Sequence, residues 1–580
     1  MNILGISYLS HDSSAVLISD GNVVAMVEEE RLSRVKHDNG FPRRAIDFVL
    51  NEGGIQASDI DVIAVPYKWQ TGLARRAVYG IKNISKTRSF ILRNVAPQLL
   101  GLSTNIEDKI RGLVTHNIGD LSAKCRIVFY EHHISHAASS YLASPFDKSL
   151  IISWDGRGEW PCILAALGRG DRIEVVHREY FPNSIGQAYQ AISQYLGFSD
   201  MGDEYKVMGL SAYGEAKYMD TFRNFIKVKK SRVAINQSYM NYYIYNRDMA
   251  DRFSLNMTRE LGAARHDREP IEQRHMDIAR SLQDRVNEVG VEVTASLRSR
   301  FGDTKLCLAG GVAQNIILNH KIFSTAGFED VFVQPASHDA GLALGAALLA
   351  SRDHGGERER FVMRATGWGP SYSSEKISGE LENYGLSYVR VPEVEKLAAR
   401  MIADGHVIGW FSGRSEFGPR ALGHRSILAD PRRAEMQDIV NRKIKFREEF
   451  RPFAPSVMAE HFDEYFAGAP VNQFMTFYAS LKEGKGDAIP AVTHVDGSAR
   501  PQAVYQDCNP AYWRLIDAFR DETGVPVVLN TSFNVKGEPI TDSPSDAIRC
   551  FFSTGIDFLV LEDCVVTKQD PEQIKKFMAK

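Results

Sequence analysis

Two histidines four residues apart open the chemical reading. In Glu131-His132-His133-Ile134-Ser135-His136, which follows the strand-like run 126–130, a helix puts His132 and His136 on one face and His133 elsewhere. The pair is either part of a metal site or a helix start that happens to carry histidines. Two acids favour the metal. Asp155 ends the apolar run SLIISWD, and Asp339 sits in the polar turn Ser337-His338-Asp339 before the Gly/Ala-rich AGLALGAAL. Two imidazoles with two carboxylates suit iron, manganese or zinc and are poor for soft-metal chemistry. Such a metal is a Lewis acid for phosphate or hydroxyl oxygens. His11, in His11-Asp12-Ser13-Ser14, has an ordinary pKa near working pH. It is either a general base for an acceptor hydroxyl or a residue that steadies its own turn.

A second group of residues has the chemistry of anion binding. Leu306–Leu308 followed by Ala309-Gly310-Gly311-Val312-Ala313-Gln314-Asn315 reads as strand, glycine turn and helix. Glycines there let backbone approach a nucleotide, or serve only a tight connection. Lys206, among the glycines of GDEYKVMGLSAYGE, is a phosphate contact or a surface lysine. Between Arg414 and Arg451 ten basic residues face six acidic ones, a net +4. Arg414, Arg420 and Arg425 lie among turn residues, and Lys443, Lys445, Arg447 and Arg451 follow. Guanidinium forks fit phosphate and carboxylate, so a small anionic substrate is the sharper reading and a salt-linked surface the plainer one. The aromatic interleaving of a single-strand nucleic-acid channel is thin. Val525–Leu529 reads as a buried strand ending in the polar loop Asn530-Thr531-Ser532-Phe533-Asn534, suited to a nucleotide or an acyl phosphate.

These residues need elements to position them. Asn2–Tyr8, Ala15–Ile18 and Val23–Val27 read as strands, with Asp20-Gly21 as the hairpin turn and a helix from about Pro42. The same strand–turn–strand–turn–strand passage returns at Ser149. A repeat of about 150 residues predicts a duplicated domain rather than a solenoid. Duplicated ATP-binding folds of the actin/sugar-kinase type are built this way, with phosphate turns after the first strand of each half. Residues 69–106 contain no acid but carry Arg75, Arg76, Lys82, Lys86, Arg88 and Arg93. They form either a solvated helical insertion or a basic lobe for an anionic substrate, a membrane surface or RNA. Glu272–Arg298, with Ile278, Leu282, Val286, Val289, Val293 and Leu297, predicts a core helix. Ser351–Phe361 reads as a charged linker, which places the domain boundary near 360. The chain of 580 residues is 44 % hydrophobic and 24 % charged, which excludes general disorder. Its net charge of −3 excludes a general polyanion binder. Six scattered cysteines write neither a zinc ribbon nor a disulfide scaffold. The N-terminus lacks a signal-peptide pattern, and no apolar run reaches the roughly 20 residues of a membrane span. A soluble, cytoplasmic protein without a membrane partner is expected.

The segments SHDSSAVLISDG, HHISHAASSYL, WDGRGE, KVMGLSAYG, LAGGVAQN, SHDAGLALGAAL, GRSEFGPRALGHRSILADPR, KIKFREEFRPFAPSV and LNTSFNVKGEPI, in this order, resemble the NodU/nebramycin-5′-synthase family of O-carbamoyltransferases across essentially the whole chain. The resemblance implies an α/β protein: a duplicated actin/sugar-kinase-like (Kae-like) domain over residues 1–355 and a YrdC-like α/β domain over 362–580. It implies that ATP, with Mg2+, and carbamoyl phosphate form carbamoyl-adenylate in the C-terminal domain. The carbamoyl then passes to a hydroxyl of a sugar or other natural product in the N-terminal domain. By motif, His132, His136, Asp155 and Asp339 would hold iron or another transition metal, and His11 would deprotonate the acceptor. Gly310, Gly311, Asn315 and Lys206 would meet the nucleotide. Lys443 and Arg451 would be catalytic, with Arg420, Arg500, Asn530 and Ser532 around carbamoyl phosphate and ATP. The partners implied are small molecules, nucleic acid is not expected, and a homodimer is compatible. A tRNA threonylcarbamoyl-adenosine enzyme is the competing reading, and a non-catalytic nucleotide- or metal-binding regulator is a third.

Overall fold

The computed structural model describes residues 1–8, 10–99, 106–198, 202–241, 251–356, 359–446, 451 and 453–579. The chain divides into two units, residues 1–24 with 39–362 and residues 25–38 with 363–580. The first unit is built around two five-stranded sheets. One contains β1 (Asn2–Ser7), β2 (Ser14–Ser19), β3 (Asn22–Glu28, which starts in this unit), β4 (Val62–Val65) and β5 (Arg126–Phe129) in the order β3-β2-β1-β4-β5. After β6 (Lys148–Trp154), β7 (Pro161–Arg169) and β8 (Arg172–Tyr180), a separate ribbon forms from β9 (Ile226–Lys229) and β10 (Arg232–Ile235). With β11 (Lys305–Ala309) and β12 (Asp330–Val333) the second large sheet reads β12-β11-β6-β7-β8. Read by position in the chain, both orders are third, second, first, fourth, fifth. In both, the first strand pairs antiparallel with the second and parallel with the fourth. The weak repeat in the sequence is therefore a repeat of topology.

Local sequence explains the strands. Asp20 (φ 48°) and Gly21 (φ 83°) both take the positive φ of a tight hairpin turn, which fixes the register Ile3↔Ile18 and Ile6↔Ala15. Each half then ends in a helix after its fifth strand, His132–Tyr141 after β5 and Gly341–His354 after β12. These two helices and β1 approach so closely that only glycine fits at the contacts. A Cβ on Gly345 would lie 1.8 Å from the Ser135 carbonyl oxygen, and one on Gly5 would lie 2.2 Å from that of Ala343. The Gly/Ala run after Asp339 thus exists for backbone-to-backbone packing. Gly345→Val is expected to destabilise the protein by at least about 2 kcal/mol through overpacking. Gly379→Ala, in helix Ser374–Asn383 with nothing within 4 Å, is expected to be neutral or to stabilise by about 1 kcal/mol. Urea unfolding of the two variants measures the contrast, and equal midpoints would contradict it.

The predicted core helix runs Gln273–Phe301, with Ile278, Leu282, Val286, Val289, Val293 and Leu297 at most 1 % exposed. The segment read as a linker from Ser351 starts later, because the helix continues to His354. The basic segment is helical over Leu73–Lys82, Ile84–Phe90 and Ala96–Leu99, and no described helix is long and apolar enough to cross a membrane.

The second unit holds an eight-stranded mixed sheet. Its central strands are Ile408–Phe411, Arg425–Ala429, Val527–Ser532 and Ala454–Met458. Side chains alternate between two cores. Ile427, Leu529, Val457 and Leu559 face one, while Leu428, Val528, Met458 and Val560 face the other. Residues 25–38 group with this unit although they lie far upstream. Glu28 Oε1 accepts the Gly418 N–H at 3.1 Å, Arg31 donates to the Gly418 carbonyl, and Arg34 donates to the carbonyls of Pro539 and Ile540 at 2.9 and 2.6 Å.

Candidate metal and anion sites

The symmetry of the first unit brings four donors together. His132 and His136 project from the helix that closes the first half, Asp339 precedes the helix that closes the second, and Asp155 follows β6. His132 Nε2 is 2.9 Å from Asp155 Oδ2 and 3.7 Å from Asp339 Oδ1. His136 Nε2 is 3.4 Å from Asp339 Oδ1 and 3.8 Å from Asp155 Oδ2. All four residues are buried, and their ligand atoms lie within 4.8 Å of one another. These are the spacings of ligands placed about 2.0–2.2 Å from one cation. The donors also ask for one. His136 Nε2 and Asp339 Oδ1 are buried without a hydrogen-bond partner, an arrangement that costs free energy unless something charged completes it. Burial opposes an imidazolium at His132, yet Asp339 and Asp155 outweigh it and push the pKa up to about 9. Burial likewise opposes the charge of Asp155, but both imidazoles hold it well below the carboxylate range. Two buried carboxylates thus demand positive charge, and the residues fit a hard or borderline cation.

Neighbours hold the ligands in place. Glu159 Oε1 accepts the His132 N–H at 3.0 Å, and the Gly311 N–H donates to Asp155 Oδ1 at 3.1 Å. Gly158 has no room for a side chain because a Cβ would lie 2.9 Å from the Cβ of His132. His133 is apart, as its place on the helix predicts. Ser153 Oγ and the Pro161 carbonyl engage its ring, and burial pushes its pKa down to about 3, so it is a neutral core histidine. A cavity of about 10 Å³, room for one water, opens beside His132 between Ser7, Tyr8, Tyr67 and Leu342.

His11 joins the edge of this cluster. Its Nδ1 meets Asp12 Oδ2 at 2.6 Å, its Nε2 is 3.8 Å from Asp339 Oδ2, and about a third of the side chain is exposed. Burial lowers its pKa, but Asp339 and Asp12 more than compensate and push it up to about 10. Both readings of His11 have a physical basis here, since it braces its own turn and also reaches the cluster. Gly310 (φ 87°) is required, because a Cβ would lie 2.0 Å from the Trp154 carbonyl oxygen. Asn315 is occupied structurally: its Oδ1 caps helix Ile316–Thr325 by accepting the Leu318 N–H, and its amide pairs with Gln283. Lys206 is drawn to Asp203 at 2.9 Å. The cluster and the glycine turn are thus one site through the Gly311–Asp155 bond, while Asn315 and Lys206 have partners of their own.

The second unit gathers three arginines. Burial and the Arg500 charge push Arg420 down to about 9, and burial and the Arg451 charge push Arg500 down to about 10. Guanidiniums that repel one another in partial burial have the chemistry to take up an anion. Asn530 and Ser532 stand at the end of the strand Val527–Ser532, but in different roles. Asn530 is 1 % exposed and donates to the Ala421 carbonyl at 3.2 Å and to Ser456 Oγ at 3.0 Å, so it fixes the turn that carries Arg420. Ser532 Oγ bonds Asn534 Oδ1 at 2.7 Å and takes a 3.1 Å contact from Lys445 Nζ.

That last contact sets Lys445 apart from Lys443. Lys443 is exposed, whereas Lys445 is buried and also donates to Asn534 Oδ1 at 2.7 Å. The helix Met436–Val440 continues as a wider five-residue turn over Asn441–Lys445, which rotates Ile444 and Lys445 inward and leaves Lys443 outside. Sequence reading also missed Glu416. Its Oε1 accepts the N–H groups of Leu422 and His424 at 2.9 Å and of Arg425 at 3.1 Å. Burial works against its charge, but His424, the Leu422 N–H and Arg425 hold its pKa below the usual range. The signal was present as a lone acid inside the arginine-bearing turn.

Known proteins are similar to this chain. The carbamoyltransferase N-terminus model matches residues 2–348 and the carbamoyltransferase C-terminus model residues 399–568. Nodulation protein NolNO of Sinorhizobium fredii is 41 % identical over 566 residues, covering 96 % of this chain and 79 % of that protein. Nodulation protein U of the same species is 31 % identical over 590 residues, covering 95 % and 96 %. Among solved structures, the Acidaminococcus fermentans (R)-2-hydroxyglutaryl-CoA dehydratase component A is similar at 16 % identity and a TM-score of 0.32, over 61 % of this chain and 98 % of that one. A ROK family glucokinase from Streptomyces griseus is similar at 12 % identity and a TM-score of 0.28, over 61 % and 100 %.

Proposed function

The chain belongs to the carbamoyltransferase family and is an enzyme of carbamoyl transfer, and from that premise we propose a two-step O-carbamoyltransferase that uses ATP and carbamoyl phosphate. The observation that carries the reading is that the two family-matched regions each hold a polar centre of different chemistry. A cluster of cations fits substrates made of phosphate, and a carboxylate–imidazole cluster fits a cation.

In the second unit, acting as a YrdC-like adenylation domain, water displaces phosphate from carbamoyl phosphate. The carbamate oxygen then attacks the α-phosphorus of ATP, which arrives with Mg2+, and pyrophosphate leaves. Arg420, Arg451 and Arg500 neutralise charge on the phosphates, and Lys445 holds the Asn530–Asn534 loop in shape. In the first unit, acting as a Kae-like transfer domain, the Gly310–Gly311 turn receives the adenylate. His11 takes the proton of the acceptor hydroxyl, whose oxygen bonds the carbamoyl carbon as AMP leaves. His132, His136, Asp155 and Asp339 would hold a cation, which would supply positive charge to a phosphate or hydroxyl oxygen and offset the carboxylates that otherwise keep His11 protonated. The acceptor is a small molecule with a free hydroxyl, of the sugar or natural-product class.

Pyrophosphate release from ATP without acceptor tests the first step. Release that requires carbamoyl phosphate is expected. Release that requires threonine and bicarbonate would move the enzyme to tRNA modification, and no release with either would overturn the adenylation step. His11→Ala is expected to slow carbamoyl transfer by about 10²–10⁴-fold while pyrophosphate release stays within about twofold. Equal loss of both would remove His11 from the role of base.

A further inference from the structure

The helical insertion at 73–95 is absent from both chemical steps, yet it is unusual on its outer face. Fourteen large hydrophobic side chains are exposed among the described residues, and four of them fall between residues 78 and 92. Val78 is 52 % exposed, Ile81 64 %, Ile84 58 % and Leu92 61 %. Exposed Arg75, Lys82 and Arg88 lie between and beside them. On helix Leu73–Lys82 the exposed positions 74, 75, 78, 81 and 82 share one face, and from Ile84 the positions 84, 88 and 92 repeat every four residues. Across residues 69–106 the sequence contains no acid.

The inner face is firmly seated. Tyr79 packs edge-on against Trp160 and Phe181 with ring centres 5.4 Å apart in each case, and Phe90 stacks on Trp160 at 6.1 Å. Arg76 is turned inward to the carbonyls of Trp69 and Thr71, and Arg75 lies over the Tyr180 ring at 4.1 Å. The aliphatic groups are thus not the loose side of an unpacked helix but the outward side of a platform held from beneath.

We propose that this platform docks the enzyme on an anionic lipid surface, with Val78, Ile81, Ile84 and Leu92 entering the headgroup–acyl boundary and Lys82 and Arg88 meeting lipid phosphates. Aliphatics flanked by long basic side chains match an interface that is apolar below and negative above. Charge selects this occupant over a second copy of the chain, because a symmetric contact through the same face would set like cations against each other. It also selects lipid over RNA, since the rings of the segment are turned inward and none of them is offered to stack on a base. No spanning segment is needed, and the absence of a long apolar run concerns spanning alone.

Co-sedimentation of the full-length chain with vesicles tests the docking, independently of any carbamoyl transfer. Binding to phosphatidylcholine vesicles containing about a third phosphatidylglycerol is expected to exceed binding to pure phosphatidylcholine by about tenfold or more, and to fall at high salt. Lys82→Glu with Arg88→Glu, a surface change that spares the packed face, is expected to lower it by about tenfold or more. Ile81→Ser with Leu92→Ser is expected to weaken binding even at low salt, where the charges remain. Wild-type protein that ignores anionic vesicles would overturn the proposal, as would binding unchanged in both double variants. A dimer that the aliphatic variant dissociates, without lipid binding, would assign the face to a second copy and equally overturn it.

Discussion

Asp339→Asn is expected to empty the first unit of its cation and to slow carbamoyl transfer by at least about 100-fold, with pyrophosphate release in the second unit retained. The effect is electrostatic before it is geometric. Asp155 and Asp339 put two carboxylates beside two imidazoles in a buried site, and Asp339 Oδ1 has no hydrogen-bond partner to lose. Removing its charge leaves a single carboxylate, which His132 at 2.9 Å can balance alone. The site then no longer needs a cation, and the fold survives the change. Metal analysis of the purified variant after dialysis measures the first effect, and coupled assays of the two half-reactions the second. His133→Gln makes the contrast, because that ring serves only Ser153 and Pro161 and its loss should cost stability but not metal. Metal retained in full by Asp339→Asn would show that the cluster is an ionic network rather than a binding site.

Arg500→Met is expected to abolish carbamoyl-phosphate-dependent pyrophosphate release, by about 10²–10³-fold, and yet not to destabilise the ligand-free protein. Arg500 is partly buried near Arg420 and Arg451, and burial with that like charge opposes its own charge, an opposition that a bound anion would relieve. Methionine keeps the apolar stem and removes that repulsion, which is how a functional site can lower the stability of its own scaffold. The expected melting temperature is unchanged or raised by about 2 °C or more. Stabilisation by added inorganic phosphate, present in the wild type, should shrink or vanish. A variant that melts lower while phosphate still protects it would mean that Arg500 is a structural residue and that the anion site lies elsewhere.

Much of the candidate chemistry was legible because it is local. The four-residue spacing of His132 and His136 places both on one helical face under any tertiary arrangement, and His133 is excluded by the same geometry. The hairpin at Asp20-Gly21 and the core helix after Glu272 were likewise written in turn chemistry and apolar periodicity. Lys443 marks where local reasoning stops. Lysines two residues apart at the end of a helix point in different directions, and the wide turn over Asn441–Lys445 decides that Lys445 goes inward. Nothing in the spacing of basic residues states that rotation. Asn530 has the same lesson from a strand: its type suggested a ligand, and only pairing on both sides decides that it is buried, with its Nδ2 donating to the Ala421 carbonyl and Ser456 Oγ.

By itself the sequence determined residue types, their local spacing, the net positive charge between Arg414 and Arg451 and the existence of two similar halves. Only the tertiary structure decided which of those residues meet. Asp155 and Asp339 reach the histidines because Gly5 and Gly345 let helix and strand backbones close to contact. Residues 25–38 serve the second unit because Glu28 and Arg31 clamp Gly418. The physical reason is common to both. Turns and faces follow from interactions within a few residues, whereas a site assembled across hundreds of residues depends on close packing whose distances no single segment encodes.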